Sequence, residues 1–124
     1  MDFKKKSVID ETFVTGNEDS DDKILLLPIY GMIFDTGEKM SRKICSTRKI
    51  QKMLHKASKD RDIKAIILDI NSPGGTGTAS EIIFEHLKQF RKDNPSIPLV
   101  ALIKTVGASG AYYISMQADY IIAH

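Results

Sequence analysis

A chain of 124 residues, 42% hydrophobic and 27% charged, suffices for one compact domain and excludes a disordered tail, a low-complexity fibre and a two-domain protein. The net charge of +2 argues against strong nucleic-acid binding, and the single cysteine, Cys45, excludes a disulfide framework. The longest nearly continuous apolar run, Ile24 to Phe34, is interrupted by Pro28 and Gly31 and falls well short of the roughly 20 residues a membrane-spanning helix needs.

The first 23 residues are polar, with Gly16-Asn17 as a turn signal, and read as an N-terminal arm. Lys4-Lys5-Lys6 has no apolar stretch and no small-residue cleavage site behind it, so no signal peptide is expected. Ile24-Leu-Leu-Leu-Pro-Ile29 predicts a short strand, and Pro28 places it on or near a sheet edge. Across residues 41–59, Ile44, Ile50, Met53, Leu54 and Ala57 recur at helical period. Arg42, Lys43, Arg48, Lys49, Lys52, Lys56 and Lys59 occupy the other side of that pattern. They read either as a patch for phosphate or anionic lipid or as the solvated face of an amphipathic helix; without interleaved aromatics the second reading is favoured. Cys45 falls within this stretch and reads as a small buried residue rather than a nucleophile.

Ile63-Lys-Ala-Ile-Ile-Leu-Asp-Ile70 has the branched apolar character of a strand buried on both faces. Thr78-Ala-Ser-Glu81 has the form of a capping box and predicts a helix start there, with Ala79, Ile82, Ile83, Leu87 and Phe90 on one side. Asn94-Pro95 ends that helix, Leu99-Val-Ala-Leu-Ile103 predicts another buried strand, residues 111–117 a short helix, and Tyr120-Ile-Ile-Ala123 a last strand. Strands alternating with helices predict an α/β domain over residues 24–124, with a mainly parallel sheet and right-handed crossovers.

Two glycine-containing turns stand at the C-terminal ends of successive strands, the edge where open α/β sheets build sites. In Asn71-Ser72-Pro73-Gly74-Gly75-Thr76-Gly77 the glycines permit close backbone approach and leave N–H groups ahead of a helix. The turn lacks the lysine of a phosphate-binding loop, and Ser80 stands where a dinucleotide fingerprint needs its third glycine. In Gly107-Ala108-Ser109-Gly110-Ala111 the serine sits at a strand-to-helix junction. It is either an ordinary helix cap or a nucleophile whose oxyanion is met by the Gly110 N–H. Asp119 and His124 follow in the order of a hydrolase triad, but no loops are available to bring both to Ser109. His55, His86 and His124 are too scattered for a metal site, so neither metal nor cofactor is expected.

Asp69-Ile-Asn-Ser-Pro-Gly-Gly75, followed one helix and one strand later by Gly-Ala-Ser-Gly-Ala-Tyr-Tyr113, resembles the signal peptide peptidase A family of serine peptidases, whose fold group includes the caseinolytic protease and the crotonases. The resemblance runs from Ile24 to Ala123. It implies that Ser109 is the nucleophile, that the Gly75 and Gly110 N–H groups form the oxyanion hole, and that a lysine well after the serine acts as general base. No lysine follows Ser109; Lys104, five residues before it, is the one stand-in. The expectation is therefore the N-terminal part of a serine endopeptidase domain, truncated after the nucleophile turn. The resemblance further implies peptide or signal-peptide substrates, a homo-oligomer, membrane association and no nucleic-acid partner. Two other readings stay open: a catalytically inactive peptide-binding or assembly module, and an acyl-CoA-handling protein of crotonase type.

Overall fold

The computed structural model describes residues 11–37 and 39–124. The elements run β1 (Lys23–Phe34), β2 (Ile44–Ser46), α1 (Thr47–Lys59), β3 (Ile63–Gly75), α2 (Gly77–Asp93), β4 (Leu99–Gly107), α3 (Gly110–Ser115) and β5 (Tyr120–Ala123). Residues 11–22 ahead of β1 are exposed and contain neither helix nor strand. The five strands form one sheet in the order β2-β1-β3-β4-β5, and every pairing is parallel. The class is α/β.

α1 packs on α2 and α2 on α3, so the three helices make a single layer on one face of the sheet. Against it the strands direct Leu27, Ile29, Ile66, Leu68, Ile70, Leu99 and Ala101, all buried, to meet Ile50, Leu54, Ile83, Leu87 and Ile114. Each large side chain of this set contributes about 2 kcal/mol of burial free energy. The alternate side chains, Leu26, Ile67, Val100 and Leu102, lie on the opposite face and are only half-buried, while Tyr120 and Ile122 of β5 are exposed. The expectation of strands buried on both faces thus holds for one face among the described residues.

Three local expectations change. The helical pattern over residues 41–59 conceals a strand: Ile44, Cys45 and Ser46 pair with Met32, Ile33 and Phe34, and α1 begins only at Thr47. The break falls at Ser46, whose side chain accepts from the Lys49 N–H and donates to the Thr36 carbonyl, stopping the helix from extending backward. α2 is capped by Thr76 rather than Thr78. Thr76 Oγ1 accepts from the Ala79 N–H at 3.1 Å, which leaves Thr78 inside the first turn and Glu81 free for another partner. β1 has a neighbour on each side, yet β2 reaches only its last three residues, so Pro28 lies where β1 is locally an edge.

Gly31 lets the chain pack closely against itself. It stands at an irregularity of β1 with φ +72°, and a Cβ there would sit 2.2 Å from the Lys43 carbonyl carbon. The segment entering β2 therefore lies tight beside β1, held by the Met32 N–H to the Lys43 carbonyl at 2.8 Å.

Candidate active site

The two glycine-containing turns come together at the C-terminal edge of the sheet. Ser72 is buried and holds the first turn: its hydroxyl donates to the Gly31 carbonyl at 2.6 Å and accepts from the Gly74 N–H at 3.1 Å. Its carbonyl accepts from the Ala108 N–H at 3.2 Å, which fixes the second turn beside the first. Gly74, at φ +104°, packs against Ser109 so closely that a Cβ would lie 2.9 Å from the Ser109 Cβ. A Cβ on Gly75 would lie 2.0 Å from the Ile33 carbonyl oxygen. One on Gly110 would lie 1.9 Å from Ser80 Oγ and 3.9 Å from the Gly75 nitrogen. Glycine is thus required at all three positions, and the Gly75 and Gly110 backbones are neighbours.

Ser109 is the only described non-glycine residue with positive φ, at φ 53° and ψ −125°. Such a conformation costs on the order of 1–3 kcal/mol and persists only where the surroundings impose it. Here the imposing contacts are Gly74 on one side and Ser80 behind Gly110 on the other. Although Ser109 precedes α3, its side chain makes no capping hydrogen bond, and the residue is exposed. The strain displays the hydroxyl at the start of α3 instead of turning it back onto the helix, which disposes of the helix-cap reading. Gly110 opens α3, and its N–H belongs to the first turn, where no carbonyl four residues back is available.

The helix behind the serine is braced by α2. Tyr113 stacks on Phe84 with ring centroids 4.3 Å apart and donates its hydroxyl to Glu81 at 2.7 Å. That hydrogen bond, with burial, raises the Tyr113 phenol above its ordinary value.

Lys104, the stand-in base, is otherwise engaged. Its ammonium donates to the Tyr30 hydroxyl at 3.0 Å and to Asp69 Oδ2 at 3.0 Å, while the Tyr30 hydroxyl itself donates to Asp69 Oδ2. The hydrogen bonds to Tyr30 and Asp69 raise its pKa, so it stays protonated and cannot take a proton from a serine. Asp69 is buried, and its Oδ1 has no partner among the described residues, so its contacts run through Oδ2, to the Tyr30 hydroxyl and the Lys104 ammonium. Sequence reasoning did not assemble this cluster or give Tyr30 a role. The available signal was two charged residues, Asp69 and Lys104, inside otherwise apolar strands.

Other candidates fall away on position. Asp119 accepts from Arg91 and from the Leu99 N–H, which holds it at the end of β4 opposite to Ser109 and outside any triad. Cys45 is fully buried in β2, and burial pushes its thiol up to about 12, far from the thiolate a nucleophile requires. No group of three or more histidine, cysteine, aspartate or glutamate residues suited to a metal ion occurs among the described residues.

Residues 91–124, from the end of α2 through Ser109 to β5, match the profile of peptidase family S49. Protease 4 of Haemophilus influenzae is 40% identical over 101 residues, which is 82% of this chain and 16% of that protein. The putative signal peptide peptidase SppA of Enterococcus faecium is 33% identical over 123 residues, 98% of this chain and 35% of its own length. This chain therefore spans about a sixth to a third of these two curated relatives. Among solved structures, a mutant of the 1510-N membrane-bound stomatin-specific protease superposes with a TM-score of 0.62 at 20% identity, over 84% of this chain and 44% of that one. The likeness gives the fold, a caseinolytic protease/crotonase-like α/β sheet. The resemblance read from the paired turns stands, over part of the catalytic domain.

Proposed function

From kinship with peptidase family S49, we propose that this chain carries the nucleophile half of a serine endopeptidase site of signal peptide peptidase A type. Ser109 Oγ attacks the carbonyl carbon of a peptide bond, and the Gly75 and Gly110 N–H groups meet the developing oxyanion. A general base other than Lys104 takes the serine proton and passes it to the amine as the C–N bond breaks, and water then hydrolyses the acyl-enzyme, releasing the acid and returning the serine. The observation that carries this reading is the exposed, uncapped Ser109 hydroxyl at φ 53°, seated against Gly74 and Gly110. The engagement of Lys104 supports a base other than that lysine, as the resemblance implies. Substrates are peptides, with signal-peptide or other membrane-derived segments favoured by the names of the relatives; membrane association is proposed on the same ground, and assembly into a homo-oligomer from the family resemblance alone. No helix among the described residues is long and apolar enough to cross a membrane.

A fluorophosphonate probe tests the nucleophile. The purified chain is expected to be labelled at Ser109, located by peptide mass spectrometry, and Ser109→Ala to remain unlabelled. Equal labelling of the two removes Ser109 from the role.

The charged, partnered state of Lys104 favours one second reading, a module that binds peptides without turning them over. Product release that disappears in Ser109→Ala counts against it.

A further inference from the structure

On the open face of the sheet, beside the nucleophile turn, lies a cavity of about 270 Å³ walled by Tyr30, Arg42, Asn71 and Lys104. We propose that it is a carboxylate-binding subsite, which selects peptides presenting an acidic side chain a few residues from the bond to be cut. The inference deepens the peptidase reading and rests on it.

The walls differ in what hydrogen-bonding capacity they have left. Lys104 has three N–H donors and gives two, to Tyr30 and to Asp69, so one remains. The Tyr30 hydroxyl proton goes to Asp69, and its oxygen accepts from Lys104. Asn71 Oδ1 accepts from the Val106 N–H at 3.2 Å, which fixes the amide orientation and leaves its NH₂ to donate. Arg42 forms no ion pair with a described residue and contributes a planar fork of donors. The groups left over are mainly donors: one Lys104 N–H, the Asn71 NH₂ and the Arg42 fork. Charge narrows the ligand further: Asp69 offsets Lys104, and Arg42 has no ion-pair partner among the described residues. A group that only accepts hydrogen bonds and carries one negative charge is a carboxylate.

Position ties the cavity to the serine. Lys104 lies five residues before Ser109 on the strand that delivers it, at most about 17 Å away along an extended chain. Asn71 immediately precedes Ser72, whose carbonyl holds the Ala108 N–H. Arg42 precedes Lys43, whose backbone packs against Gly31, so the glycine at the irregularity of β1 also lets the fourth wall come close. A side chain of a peptide laid along the strand ends would reach the cavity from a few residues away.

The test is fluorescence anisotropy on the full chain. The probes are end-blocked extended peptides that differ by Glu or Gln at one position, moved along the peptide, with a free C-terminal carboxylate in a third arm and inorganic phosphate as competitor. The Glu peptide is expected to bind about tenfold more tightly than its Gln partner at one position, as a charge-assisted hydrogen-bond set would give. Arg42→Gln should erase that preference by weakening the Glu peptide more than the Gln peptide, and Arg42→Glu should turn it toward a Lys peptide. Arg42 is exposed, so these variants keep the fold, and an unchanged thermal melt verifies it. A preference seen only for the free C-terminus supports the same chemistry with the chain end as its source. Equal binding of Glu and Gln peptides, a preference that survives Arg42→Gln, or a cavity that takes only phosphate overturns the subsite and leaves the peptidase reading standing. Absence of binding by any peptide together with absence of Ser109 labelling brings down both.

Discussion

Ser46 and Ser109 occupy equivalent places in the chain, each the last residue of a strand-to-helix junction. Ser46 has an ordinary extended backbone at φ −97°, is fully buried, accepts from the Lys49 N–H and donates to the Thr36 carbonyl. Ser109 has φ 53°, is exposed, and makes no capping bond. The difference comes from the neighbours. Ser46 meets a loop that offers it an acceptor, whereas Ser109 is held between Gly74 and Gly110, where no other backbone would fit. One hydroxyl is committed to structure and the other is left uncapped, as the nucleophile role proposed for Ser109 requires.

The strongest way to break this contrast is to fill the space that imposes it. Gly75→Ala puts a methyl group 2.0 Å from the Ile33 carbonyl oxygen, backbone that cannot swing away, and is expected to cost about 3 kcal/mol in urea unfolding and to abolish probe labelling. Next in size, Ser46→Ala removes a cap and the hydroxyl that donates to the Thr36 carbonyl. A loss of about 2 kcal/mol is expected, with Ser109 labelling per folded molecule unchanged. The opposite sign is expected at the other junction: Ser109→Gly relieves the backbone and should raise stability by about 1 kcal/mol while ending labelling. A stabilisation from Ser46→Ala or a loss from Ser109→Gly would dissolve the distinction.

The smallest effect sharpens a related contrast, between Ser109 and Cys45, the thiol next to Ser46. Burial raises this thiol from an ordinary 9.0 to about 12 in the folded state. Above pH 9.0 the unfolded chain loses the proton and the folded chain keeps it, so the unfolded state is favoured increasingly from there toward pH 12. Stability should be insensitive to this group through neutral pH and decline above about 9, with the decline reduced in Cys45→Ala. A maleimide should leave Cys45 unmodified in the folded chain and react once it is unfolded.

The sequence made much of this legible, and its failures have physical causes. β3, α2 and β4 were readable because long apolar patterns end on unambiguous punctuation, Asn71-Ser72-Pro73-Gly74 and Asn94-Pro95. β2 was hidden because Ile44 happens to continue the helical period of Ile50 and Leu54, and a three-residue strand carries no period of its own. Thr76 and Thr78 are both plausible caps, and only the hydrogen bond to the Ala79 N–H separates them. At the site, the family resemblance that the paired turns carry implied that Ser109, Gly75 and Gly110 come together, but whether Ser109 caps its helix depends on a backbone angle that residue type does not encode. The Tyr30–Asp69–Lys104 cluster joins three strands across the sheet, with Lys104 and Tyr30 separated by 74 positions, a contact beyond the reach of local pattern.

The hydroxyl bond from Ser72 to the Gly31 carbonyl links residues 41 apart, and the parallel pairing around it leaves little for local contacts to nucleate. Parallel sheets of this kind assemble slowly, because each long connection must close before its pairing is rewarded. The angle at Ser109 depends on Gly74, hence on β3 already lying between β1 and β4. In time, then, the Ser109 conformation is a late arrival. Helical signal should return first in a refolding experiment, and probe reactivity only after the sheet has closed. A newly made chain therefore passes through its most exposed stages before Ser109 takes up its strained angle.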